Sequence, residues 1–112
     1  MEQVKQYDIV LVNLDPIPIA IERSEMKKTR PCTVISPNEM NKYLQTIVVA
    51  PLTSSSKPYP TRVEIKQTTK KGWIVLDQIR TVDRTRIVKK LGKLTTSEIE
   101  AVKNVIMETY VE

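Results

Sequence analysis

Apolar and polar positions fall into short runs along most of the chain and switch to a helical spacing only near its end. Tyr7-Asp8-Ile9-Val10-Leu11-Val12-Asn13 is β-branched and apolar and runs into Asp15-Pro16, which predicts a first strand. From Asp15 to Thr29, two prolines and mixed charges predict a long loop, of the length usually kept for function or mobility. Arg30-Pro31-Cys32-Thr33-Val34-Ile35-Ser36 reads as a second strand, with Pro31 at its start where a missing N–H does least harm. Pro37 to Tyr43 reads as a turn or a single helical turn. Thr46-Ile47-Val48-Val49-Ala50-Pro51 is β-branched enough to be a central strand.

A second loop, Thr53 to Pro60, is made of hydroxyls, Lys57 and two prolines. Arg62-Val63-Glu64-Ile65-Lys66 alternates charged and apolar, as a half-exposed strand does. Lys70-Lys71-Gly72 turns into the apolar strand Trp73-Ile74-Val75-Leu76. Asp83 to Lys90 fits either a short helix or a basic loop, and Lys90 to Leu94 fits a last short strand. Thr95-Thr96-Ser97-Glu98 is a capping box. Ile99, Val102, Val105, Ile106 and Tyr110 follow at helical spacing, with Glu100, Lys103, Asn104 and Glu108 on the other face. Five or six short strands and one terminal helix predict a small β-barrel or curled sheet closed by a helix. At 112 residues a single domain spanning 1–112 is expected.

Charge narrows the function. The net charge is +5, and it is uneven. Lys57 to Lys71 holds five cationic residues against Glu64, and Arg80 to Lys93 holds six against Asp83. The tail from Glu98 is acidic. A basic body points to a polyanion, and with no amphipathic membrane helix beside it, nucleic acid is favoured over anionic lipid. The sequence contains no histidine and one cysteine, Cys32. Histidine-dependent hydrolases, histidine-pair ribonucleases and a structural zinc site are therefore excluded. Gly72 and Gly92 are the only glycines, so there is no phosphate loop. From the polar opening Met-Glu-Gln-Val-Lys-Gln no signal peptide is expected, the apolar runs are too short to span a membrane, and the lone cysteine suits a reducing cytoplasm.

The segment Leu76-Asp77-Gln78-Ile79-Arg80-Thr81-Val82-Asp83 places a carboxylate, an amide, a guanidinium and a hydroxyl where an apolar strand should be running out. Read with Arg30-Pro31 and Pro51-Leu52-Thr53-Ser54, it predicts a site built from three separated segments. Strict alternation would put Asp77 and Thr81 on one face and Gln78 and Arg80 on the other. The strand must therefore end or bulge near Asp77, or its two faces do different jobs.

In order, Tyr7-Asp8-Ile9-Val10-Leu11-Val12-Asn13-Leu14-Asp15-Pro16, Ser24-Glu25 ahead of Arg30-Pro31, Val49-Ala50-Pro51-Leu52-Thr53-Ser54 and Asp77-Gln78-Ile79-Arg80-Thr81-Val82-Asp83 resemble the MazF/PemK/Kid family of toxin endoribonucleases over nearly the whole chain. Two departures stand out. The glycines usual before the arginine are missing from Ser24-Glu25-Met26-Lys27-Lys28-Thr29-Arg30, which predicts a stiffer and more basic first loop. The glycine usual at the domain's opening is Tyr7, a change that reads as harmless.

The resemblance implies a mainly β (α+β) fold, a small SH3-like or PemK-like barrel of five to seven short, mostly antiparallel strands closed by a C-terminal helix. It implies the toxin of a type II toxin–antitoxin system, a metal-independent endoribonuclease with no cofactor. Attack by a ribose 2′-hydroxyl on single-stranded RNA, leaving a 2′,3′-cyclic phosphate, would then block translation. A homodimer with an acidic cognate antitoxin is implied as well. The matching catalytic positions are Arg30, Thr53, Glu25 and Asp77. Arg30 would stabilise the phosphorane, Thr53 would donate to a phosphate oxygen, and Glu25 matches a general base proposed in some relatives. Asp77 would act as base or orient Arg30. Gln78, Arg80, Ser54, Lys57, Tyr59 and Lys28 are candidate RNA contacts, with Tyr59 the better stacking candidate because Trp73 lies inside an apolar strand and reads as core. Cys32 reads as a buried filler. Two alternatives stay open: a CcdB-like gyrase-poisoning toxin on the same fold, although Met107 to Glu112 lacks the Trp-Gly-Ile ending associated with it, and a basic barrel that binds nucleic acid without cutting it.

Overall fold

A computed structural model of the chain describes residues 3–14, 29–67 and 70–111. The expected first loop, with Glu25 and Lys28, lies outside these residues. Seven strands follow in order: β1 (Asp8–Asn13), β2 (Thr29–Val34), β3 (Thr46–Thr53), β4 (Arg62–Gln67), β5 (Lys70–Val75), β6 (Arg80–Asp83) and β7 (Ile87–Lys93). A short helix α1 (Asn38–Tyr43) links β2 to β3, and α2 (Thr96–Ile106) follows β7 and widens into a π turn at Met107–Val111. Every strand pairing is antiparallel. The strands run β4-β5-β3-β2-β1-β7, with β6 also paired to β3. The mainly β architecture and terminal helix match the expectation, but the sheet curls and stays open between β4 and β7.

β3 makes the curl possible. Its first half, Thr46 to Val49, pairs with β6, and its last two residues pair with β5. Its other edge carries β2. One long β-branched strand thus serves two sub-sheets, and its alternation feeds two cores. Ile47 and Val49 join Val10, Val12, Cys32, Val34, Val82 and Ile87 in one cluster. Ala50 joins Ile9, Val63, Ile65, Ile74, Leu76, Leu94 and Val102 in the other, where α2 packs. Burying each valine, leucine or isoleucine among them contributes about 1.5–3 kcal/mol. Val102 is fully buried, and the capping box forms as expected: Thr95 Oγ1 accepts from the Glu98 N–H at 3.2 Å and Glu98 Oε1 from the Thr95 N–H at 2.9 Å.

Three local readings need correction. The ambiguous stretch after Asp83 is a single 3-10 turn, Arg84–Arg86, because the Asp83 carboxylate accepts from the Thr85 N–H and hydroxyl. The last strand then begins at Ile87, earlier than expected, since Ile87 pairs with Val12. Trp73 is half-buried and belongs to neither core. It pairs with Thr53 across the ladder while its neighbour Ile74 is fully buried, so period-two alternation turns Trp73 to the opposite face.

Tyr7 is the third correction. The Asp8 N–H bonds the Lys5 carbonyl at 3.0 Å, closing a turn with Tyr7 in its third position at φ 71°. Positive φ at that position marks a turn that favours glycine, and a bulky residue there is strained. The replacement of glycine is therefore not harmless: the ring packs against the second core while the backbone is held in an unfavourable well. Tyr7→Gly should be more stable than Tyr7→Ala by about 1 kcal/mol, because both lose the ring and only glycine relieves the backbone. Chemical denaturation of the two variants checks this, and the reverse order would remove the strain.

Candidate active site

β5 ends at Val75, and Leu76–Gln78 form a 3-10 turn before β6 resumes at Arg80. The break in alternation required by the sequence is this turn. Leu76 is fully buried and pins it to the second core. The Tyr110 hydroxyl, reaching from the turn after α2, donates to the Leu76 carbonyl at 2.7 Å. Gln78 and Arg80 are thereby presented from a fixed base.

A cavity of about 410 Å³ lies between the start of β2, the end of β3 and this turn. Arg30, Thr53, Gln78 and Arg80 all line it, as do Ser55 and Arg62. Among the described lining residues there are three guanidiniums and no carboxylate. Arg30 and Arg80 also both lie near Cys32. Burial pushes that thiol up to about 11 against the pull of the two cations, so Cys32 is the inert filler expected.

The Thr53 hydroxyl donates to the Ser55 carbonyl at 3.2 Å and receives the Ser55 N–H at 3.5 Å. It thus caps the turn that follows β3 while facing the cavity. Ser54, Lys57 and Tyr59 are exposed and are not among the residues lining it.

Asp77 departs from the expectation that it orients Arg30. Its carboxylate takes Arg62 side-on, Nε to Oδ1 at 3.2 Å and Nη2 to Oδ2 at 3.3 Å, and accepts from the Thr61 hydroxyl at 3.0 Å. The bond from Arg62, supported by Thr61, holds the Asp77 carboxyl below the usual carboxylate range. Such a group is a weaker base than an ordinary aspartate.

Arg62 is the charged lining residue that the sequence pattern did not single out. It opens β4 as one charged position in an alternating strand, which reads as solvated surface. The β4–β5 ladder runs from Gln67↔Lys70 to Arg62↔Val75, and directly opposed side chains share a face. Arg62 therefore joins Val75 and, across β5, the Thr53 face. Hairpin register was the signal that could have found it.

A curled antiparallel sheet with a helix-anchored turn, and a cavity walled by arginines and a hydroxyl, define a small basic protein suited to a polyanionic ligand. The chain belongs to the family of PemK-like, MazF-like toxins of type II toxin–antitoxin systems, whose model matches residues 5–110. A curated relative, the endoribonuclease MazF of Staphylococcus saprophyticus, is 33% identical over 109 residues, covering 92% of this chain and 88% of its own. The MazE–MazF structure from Deinococcus radiodurans aligns with a TM-score of 0.80 at 22% identity, covering 96% of both chains. The Mycobacterium tuberculosis toxin MazF-mt6 aligns at 0.74 with 19% identity, over 90% of this chain and 93% of that one. At these identities the two structures speak for the fold.

Proposed function

We propose that this toxin is an endoribonuclease that cuts single-stranded RNA at short sequences by attack of a ribose 2′-oxygen on the adjacent phosphorus. The 5′-oxygen leaves with a proton, and a 2′,3′-cyclic phosphate remains. The observation that carries this reading is the convergence of Arg30, Arg80 and the Thr53 hydroxyl on one cavity with no carboxylate among its described lining. A phosphorane gathers negative charge on its oxygens, and preorganised donors in a partly enclosed site stabilise it. Arg30 grips two of those oxygens with its planar fork. Thr53 exchanges its bond to the Ser55 carbonyl for one to a phosphate oxygen. No imidazole, amine or carboxylate among the described lining can take the 2′ proton, and Glu25, outside the described residues, is the carboxylate to which the resemblance points. The guanidiniums that line the cavity supply the positive charge that meets the phosphorane.

The family match over residues 5–110 favours this reading over the gyrase-poisoning one. No described helix is long and apolar enough to cross a membrane. We place the toxin in the cytoplasm as a homodimer whose partner is an acidic antitoxin segment, drawn by the same charges that attract RNA. Purified protein incubated with a long single-stranded RNA in EDTA should give defined fragments ending in 2′,3′-cyclic phosphate. Intact RNA, or loss of cutting on chelation, would sink the proposal.

A further inference from the structure

We propose that Arg62 reads a base: it is a specificity-determining contact that hydrogen-bonds the edge of one unpaired nucleotide beside the cut bond, and Asp77 is its positioning residue. This rests on the ribonuclease reading of the same cavity. Arg62 is held on three sides. Asp77 takes Nε and Nη2, the Ser56 hydroxyl accepts from Nη1 at 2.9 Å, and the Tyr59 ring lies 4.9 Å from the guanidinium carbon. A guanidinium has five N–H donors, and these bonds use three. Two remain on a group that lines the cavity.

Charge separates this arginine from the other two. Arg30 and Arg80 have no carboxylate partner among the described residues, so their full charge is available to phosphate. Arg62 is neutralised by Asp77, so its pull on a phosphate is largely cancelled. What remains is rigid, directional hydrogen bonding, which suits the neutral acceptors of a base edge. Tyr59 and the Asp77 fork fix the plane of the guanidinium before substrate arrives, so little side-chain freedom is lost on binding. Single-stranded RNA is read in this way, by hydrogen bonds to splayed bases and by stacking on aromatic or guanidinium planes. Asp77 is not itself among the lining residues and acts through Arg62.

Two readouts on the wild type, Arg62→Gln and Asp77→Asn test this. One is the sequence profile of cleavage ends on a transcript pool. The other is enrichment from a random single-stranded pool with 2′-deoxy riboses, which lacks the nucleophile and reports binding whether or not cleavage occurs. Arg62→Gln should relax preference at one position by about tenfold or more, leave its neighbours unchanged and leave the salt dependence of binding as in the wild type. Asp77→Asn should relax the same position more weakly, and the double variant should match Arg62→Gln alone. Uniform loss at every position with a shallower salt slope would make Arg62 a phosphate contact and overturn the proposal. An unchanged profile would leave it a structural residue. If Asp77→Asn abolishes all cutting and removes the acid limb of the pH–rate profile, Asp77 is the base and its positioning role fails. Wild-type RNA left uncut refutes the ribonuclease reading, whereas the binding profile decides this one.

Discussion

Arg30→Ala is expected to slow RNA cleavage by about 10²–10³-fold while the protein stays folded. The size follows from removing one preorganised donor that stabilises charge only in the transition state. The fold survives because Arg30 is exposed at the start of β2 and no described residue pairs with its guanidinium. Its strand is held instead by the buried Cys32, Thr33 and Val34. Arg30→Lys should recover only part of the loss, since an ammonium restores the charge without the planar fork. Single-turnover cleavage of a defined oligonucleotide, with a thermal melt of each variant, makes the comparison. Undiminished cutting by the alanine variant would remove Arg30 from the chemistry.

Leu76→Ala should cost about 2–5 kcal/mol of stability, the range for truncating a fully buried leucine. Leu76 is more than core, because it is the first residue of the 3-10 turn that presents Gln78 and leads into Arg80. Its side chain anchors that turn to the second core, and its carbonyl takes the Tyr110 hydroxyl. Tyr110→Phe removes only the second tie and should cost about 1 kcal/mol. Urea midpoints at unchanged slope report both losses. A Leu76→Ala loss below about 1 kcal/mol would mean that the turn is not held from beneath.

What the sequence disclosed divides along a physical line. Features written in neighbouring residues were legible: the β1 run, the capping box at Thr95, the period of α2, and the end of a strand near Asp77, where four polar groups violate alternation. Arg30, Thr53, Gln78 and Arg80 were legible as members of one site because their motifs fall in order along the chain. Features that depend on register between distant strands were hidden. Arg62 reaches the cavity only through its pairing with Val75, and the partner of Asp77 lies 15 residues before it. Trp73 sits in an apolar run, and only the ladder shows which face it takes. Tyr7 was misjudged for another reason: a residue name does not disclose a positive φ, and the turn at Lys5–Asp8 had to be seen.

The bond from Tyr110 to Leu76 spans 34 residues, and that span sets a schedule for the growing chain. A ribosome making this protein from its N-terminal end produces Arg30, then Thr53, then Gln78, but the tie that steadies the last of them arrives only with Tyr110. Until then the turn lacks a bond worth about 1 kcal/mol, and the Leu76 side chain is its anchor. The turn beneath Gln78 therefore gains this last support only once α2 has been made and packed back on the sheet.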